Sequence, residues 1–229
     1  MELYHDDCIV VMDKLIAGGV KFDFVLTDPP YLFNKHCRGG AFGSENRRYR
    51  SEVAEMSNGY SVEVLDKLVQ LMDKINICIF FSMKQQSLLL NYFESRNCNH
   101  TLLSWHKSNP IPACRSRYLP DTESIFHFKE KGVPIYGSYY TKKTYWVTPV
   151  NKADKKSYGH PTIKPLGIIE NLIVNHTLEG DTVFDPFMGS GTTGVACKKL
   201  NRNFIGCEID KAYFDTAQKR MNDTTDSKF

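Results

Sequence analysis

Residues 184–194 read FDPFMGSGTTG, and the architecture of the chain turns on this stretch. Gly189, Gly191 and Gly194 fit the spacing G-x-G-x-x-G, in a turn between the short apolar segment Thr182–Asp185 and a helical pattern over Gly191–Leu200. Glycines in such a turn let backbone approach a ligand closely. Glu208 stands in GCEID at the end of the next apolar segment, near the ~20-residue spacing at which an acid accepts from ribose hydroxyls. The pattern suits a dinucleotide or another adenosine-bearing ligand. Two features count against a nicotinamide enzyme. Asp185-Pro186-Phe187 intervenes between strand and glycines, and only residues 192–229 follow Gly191, too few to complete a dinucleotide fold. If this turn closes the first strand of a nucleotide-binding half, the remaining strands come from the N-terminal part, in permuted order.

Working outward, Phe22–Thr27 (FDFVLT), Ile77–Ser82 (ICIFFS) and Leu102–Trp105 read as buried strands. Apolar residues at 62, 64, 65, 68, 69 and 72 give helical spacing over Val62–Lys74. Leu166–His176 reads as a helix after Pro165, Asn203–Cys207 as a strand and Lys211–Met221 as a last helix. This alternation predicts an α/β fold: a Rossmann-like, mostly parallel twisted sheet with helices on both faces, forming a single domain over 1–229.

Permutation places a second stretch at the ligand crevice. The strand at 22–27 runs into Asp28-Pro29-Pro30-Tyr31. Neither proline has an N–H to donate, and both stiffen the backbone while leaving carbonyl acceptors. A carboxylate, fixed carbonyls and an aromatic face together suit a planar group that carries an amine. A nucleobase amine matches, with the ring stacked on Tyr31 and its two protons taken by Asp28 and the Pro29 carbonyl.

The chain has 229 residues, 41% hydrophobic and 24% charged, with net charge +3, the mix of a globular protein. Its seven cysteines (8, 37, 78, 98, 114, 197 and 207) show no CxxC spacing, so neither a disulfide framework nor a zinc site is indicated. The acidic N-terminus lacks a signal-peptide profile, and no apolar run is long enough to span a bilayer; a cytoplasmic protein is expected. Two basic segments interrupt the alternation. Residues 32–60 carry Lys35, Arg38, Arg47, Arg48 and Arg50, and 131–159 carries Lys142 and Lys143 among several tyrosines. Both read as functional loops or disorder, and their clustered positive charge permits contact with nucleic-acid phosphates.

The two motifs together resemble the amino-group DNA methyltransferases that use S-adenosylmethionine, in the permuted order of the β class. Asp28–Tyr31 matches the family's catalytic tetrapeptide, and Asp185–Gly191 its cofactor loop. His160-Pro161-Thr162-Ile163-Lys164-Pro165 matches the segment before that loop, and the opening YHDDCIVVMDKL resembles the family's start, with Asp6 where a glycine is usual. WHKSNPIP (105–112) and TESIFHFKE (122–130) also resemble family strands. The resemblance implies catalysis by Asp28, Pro29, Pro30 and Tyr31. It implies cofactor contacts from Asp7, Asp28, His160, Thr162, Lys164, Phe184, Asp185, Pro186, Phe187, Gly189, Ser190, Gly191, Thr192 and Glu208. It further implies double-stranded DNA as substrate, a base flipped out for reaction, and 131–159 in the target-recognition position. That segment is short, so a short or relaxed recognition sequence, or help from a second subunit, is expected; the resemblance is compatible with a restriction endonuclease partner and a homodimer, which the sequence leaves open. Adenine N6 is the expected target and cytosine N4 the alternative; an RNA target, a non-catalytic nucleotide-binding module and a dehydrogenase are further readings.

Overall fold

A computed structural model describes residues 1–32, 59–110, 118–150 and 163–224. In chain order the elements are β1 (Glu2–Tyr4), α1 (Cys8–Ala17), β2 (Phe24–Thr27), α2 (Val62–Gln70), β3 (Asn76–Phe81), α3 (Gln86–Glu94), β4 (Asn99–Lys107), β5 (Thr122–Lys129), β6 (Tyr145–Thr148), α4 (Leu166–His176), β7 (Thr182–Asp185), α5 (Thr192–Lys199), β8 (Asn203–Cys207) and α6 (Lys211–Asp223). The strands form one sheet in the order β1-β8-β7-β2-β3-β5-β4-β6. β5 pairs antiparallel with both β3 and β4, and every other pairing is parallel.

The apolar runs of β2 and β3 are buried along their whole length, as they must be in a sheet covered on both faces. Successive side chains alternate between those faces. Val25, Ile77, Ile79, Phe81 and Phe184 pack with α1, α2 and α3. Phe24, Leu26, Cys78, Phe80 and Val183 pack with α4, α5 and α6. The first core is rich in rings, with Phe81 stacked on Phe126 at 4.3 Å and Phe93 on Phe128 at 4.2 Å.

This two-sided wrapping makes the functional crevice. From β7 the chain crosses through α5, on one face, to β8. From β2 it crosses through α2, on the opposite face, to β3 on the other side. β2 and β7 are parallel neighbours, so their connections leave in opposite directions at their carboxyl ends. A parting of this kind opens a ligand crevice at the strand ends. Asp28-Pro29-Pro30-Tyr31 and Asp185–Gly191 are the residues found there.

The structure departs from the sequence expectations in particular places. The segment 131–159 is not wholly a loop, because Tyr145–Thr148 forms β6 and pairs with Ser104–Lys107 of β4. β4 is longer than the apolar run Leu102–Trp105, since Asn99, His100 and Thr101 are polar and carry no burial signal, and Leu102, expected to be buried, is exposed. β1, α1 and α3 were not delineated by periodicity; α1 instead shows a clear cap, with Asp7 accepting from the Ile9 N–H at 2.8 Å.

Candidate active site

A cavity of about 460 Å³ lies at the β2/β7 crevice, lined by both motifs. Asp28, Pro29, Pro30 and Tyr31 form one wall. Asp185, Phe187, Gly189, Ser190, Thr192 and Glu208 contribute to another, joined by Lys164. The volume falls in the range of small-molecule sites, ~300–1,000 Å³.

The proline turn is braced from the link between β3 and α3. Gln85, itself buried, donates to the Pro30 carbonyl at 3.1 Å and accepts from the Ser82 N–H at 3.0 Å and the Ser82 hydroxyl at 2.9 Å. Asp28 meets the Lys164 ammonium through Oδ2, and the Tyr31 hydroxyl lies against the same carboxylate. Lys164 also reaches Glu123 at 3.1 Å, and Glu123 reaches Lys107 at 2.8 Å. Burial raises the Asp28 pKa above the usual carboxylate value, Lys164 opposes this, and Glu123 adds to it. Burial alone would lower Lys164, but the carboxylates of Asp28 and Glu123 outweigh it and hold the ammonium above the ordinary lysine value. Burial raises the Tyr31 phenol well above its usual pKa, and the charges of Asp28 and Glu123 raise it further.

The glycine turn is held by its acids. Asp185 is 3% exposed and spends both oxygens on the turn, accepting from the Phe187 N–H at 3.1 Å and the Thr193 hydroxyl at 2.7 Å. Burial pushes its pKa up to about 7. Glu208 accepts from the Gly189 N–H at 3.0 Å and the Asp210 N–H at 2.8 Å, one to each oxygen. Each oxygen has a second lone pair, so the carboxylate is pre-oriented and still able to accept from ligand hydroxyls. Below the turn, the buried Arg220 of α6 donates to the Ser190 carbonyl at 2.6 Å, the Ser190 hydroxyl at 3.1 Å and the Thr192 hydroxyl at 3.2 Å. Gly189 and Gly191 both have positive φ, 51° and 79°. Gly191 has a packing reason as well: a Cβ there would stand 2.8 Å from the Ala217 Cβ and 2.9 Å from the Met221 Cε.

Not every residue expected at the site lines the cavity. Phe184 is fully buried and stacked on Phe22 at 4.5 Å, Pro186 offers its carbonyl to the Cys207 thiol, Gly191 is the residue just before α5, and Asp7 caps α1. Lys142 and Lys143 are exposed, away from the cavity wall. His160, Thr162, Lys35, Arg38, Arg47, Arg48 and Arg50 fall outside the described residues. Glu123, Lys107, Gln85 and Arg220 were not singled out from sequence. Glu123 left a trace, an acid inside the apolar run of TESIFHFK.

The profile of the DNA methylase family matches residues 22–219. The Type II methyltransferase M2.DpnII of Streptococcus pneumoniae is 36% identical over 243 aligned positions, covering 96% of this chain and 89% of that protein. The Type II methyltransferase M2.LlaDCHI of Lactococcus lactis subsp. cremoris is 30% identical, covering 96% of this chain and 88% of that protein. Among solved structures, the crystal structure of the M1.HpyAVI–SAM complex matches with a TM-score of 0.75 at 30% identity, covering 96% of this chain and 98% of that one. A crevice at the β2/β7 switch point, the proline turn on one wall and the glycine turn with its acid on the other, and these matches along nearly the whole chain lead to one conclusion: the chain belongs to the DNA methylase family.

Proposed function

We propose that this protein transfers a methyl group from S-adenosylmethionine to the exocyclic amine of a base flipped out of double-stranded DNA, with adenine N6 as the target. The observation that carries the reading is the convergence of Asp28, Pro29 and Tyr31 on the same cavity as Gly189 and Glu208.

The residues fit the cofactor. Glu208 is held by two N–H groups with lone pairs to spare, and Gly189 exposes backbone at the cavity wall. Bound there, the cofactor supplies an electrophilic methyl on a sulfonium. Everything else is done by this chain. An exocyclic amine is a poor nucleophile because its lone pair is delocalised into the ring. Asp28 and the Pro29 carbonyl accept its two N–H bonds and favour a pyramidal nitrogen whose lone pair points out of the ring plane. Holding both reactants in line is worth up to about 7–11 kcal/mol in favourable cases. The amine is far too weak an acid for Asp28 to deprotonate beforehand, so the proton leaves after transfer. Inside a duplex the nitrogen cannot be reached, and Tyr31 stacks on the extruded ring.

Lys142 and Lys143, with Lys35, Arg38, Arg47, Arg48 and Arg50, would meet phosphates and position the duplex. The Type II naming of the Streptococcus and Lactococcus relatives supports a restriction–modification setting with an endonuclease partner, in the cytoplasm. No helix among the described residues is long and apolar enough to cross a membrane. A homodimer would compensate for the short target-recognition segment. Incubation with labelled S-adenosylmethionine and unmethylated duplex DNA, followed by nucleoside chromatography, tests the reading. Labelled N6-methyladenine is expected, N4-methylcytosine would support the alternative target, and no labelled base would overturn the assignment.

A further inference from the structure

We propose that Glu123 is a positioning residue that keeps the Lys164 ammonium neutralised while Asp28 takes up the proton released by methylation. The inference deepens the methyltransferase reading above and rests on it.

Four charged side chains from four parts of the fold form an alternating row. Lys107 comes from β4, Glu123 from β5, Lys164 from the segment before α4 and Asp28 from the end of β2. Lys164 is the crux. It is 6% exposed, its ammonium lies 4.9 Å from the Phe80 ring centre and 5.5 Å from that of Tyr31, and it touches both carboxylates. A buried ammonium stripped of water needs a counter-charge close by.

Methyl transfer leaves a cationic nitrogen. To finish the reaction an N–H bond breaks, its electron pair stays on nitrogen as the lone pair of the product, and the proton bonds to the Asp28 carboxylate. Asp28 is then neutral and no longer balances Lys164. Glu123 is already in place to do so, so the proton can move without stranding a buried positive charge. When product leaves and water enters, the proton passes from Asp28 to solvent. Lys107, at the outer end of the row, keeps Glu123 ionised: burial would raise the Glu123 pKa, but Lys164 and Lys107 outweigh it. Among the described residues, the other titratable groups facing Asp28 are the Tyr31 hydroxyl and Asp185 at the end of β7.

Single-turnover methylation of duplex DNA, followed from about pH 5.5 to about pH 9, tests this, because the acid limb of the profile reports ionisation of the essential carboxylate. Glu123→Gln keeps shape and removes charge. Its plateau rate should fall at least about tenfold, equivalent to about 1.4 kcal/mol. Its acid limb should move to lower pH, since Asp28 loses a like-charged neighbour and keeps Lys164 to itself. Glu123→Asp should return the limb towards the wild-type position. Lys107→Gln should move it the other way, to higher pH, and this variant of the outermost member carries the test if Glu123→Gln does not fold. A residue that merely supports the fold would lower the whole profile without moving it, and unshifted limbs in the folded variants would overturn the inference alone. Failure of the wild-type protein to methylate any base would overturn the methyltransferase reading and this inference with it.

Discussion

Two glycines with the same backbone constraint separate strain from packing. Gly180 and Gly191 have φ of 85° and 79°. A side chain at Gly180 would meet nothing within 4 Å, whereas one at Gly191 would press on Ala217 and Met221 of α6 at 2.8–3.0 Å. One of those contacts is the Ala217 Cα, backbone that cannot rotate away. Gly180→Ala should therefore cost only the left-handed backbone penalty, about 1–2 kcal/mol. Gly191→Ala should add overpacking of about 1–3 kcal/mol, for a total of about 2–5 kcal/mol. For a domain of this size each kcal/mol lowers Tm by roughly 2–4 °C. The assay is urea unfolding of both variants, with equal m values required before midpoints are compared. If the two variants lose the same stability, α6 does not pack on the turn as described. If Gly191→Ala is as stable as wild type yet fails to bind S-adenosylmethionine, the glycine serves ligand approach instead of packing.

The remaining predictions concern the cavity and the buried histidines. Asp28→Ala should nearly abolish methylation while leaving cofactor affinity by calorimetry largely intact, whereas Tyr31→Phe, which keeps the ring, should be mild in the same methylation assay. Glu208→Ala should weaken S-adenosylmethionine binding by about 1.5–3 kcal/mol, the range for hydrogen bonds to a charged group, and unchanged affinity by calorimetry would reject its role. The His127 and His176 ring centres lie 3.9 Å apart with the rings tilted; burial lowers the pKa of His127 to about 3 and that of His176 well below the ordinary value. Their neutral forms therefore stabilise the fold above the unfolded histidine pKa, and that contribution is lost as pH falls below ~6.5. Asp185 acts oppositely. With its folded pKa up at about 7, its contribution is greatest below the unfolded aspartate value of ~3.9 and declines as pH rises towards 7. Asp185→Asn should consequently show a steeper fall in Tm from pH 6.5 towards about pH 4 than the wild-type protein; parallel curves would contradict the pKa ordering.

What could be read along the chain was local. FVLT and ICIFF could be recognised as doubly covered strands because a run of apolar residues with no polar alternation has one stable place, the middle of a layered sheet. The glycine turn and the proline turn could be recognised because backbone freedom and the loss of N–H donors are properties of single residues. Their order along the chain then placed both at one crevice. Other features depend on residues distant in sequence. Lys164 lies 136 residues from Asp28, and nothing local to HPTIKP says that its ammonium meets that carboxylate, or that Glu123 and Lys107 continue the row. The position of β5 between β3 and β4, the recruitment of Tyr145–Thr148 to the sheet edge and the close approach of Ala217 to Gly191 are likewise products of long-range packing. Composition and spacing determined which groups the chain could bring to a ligand. Tertiary structure decided which of them touch, because the cost of burying a charge is offset only by whichever partner the fold sets beside it.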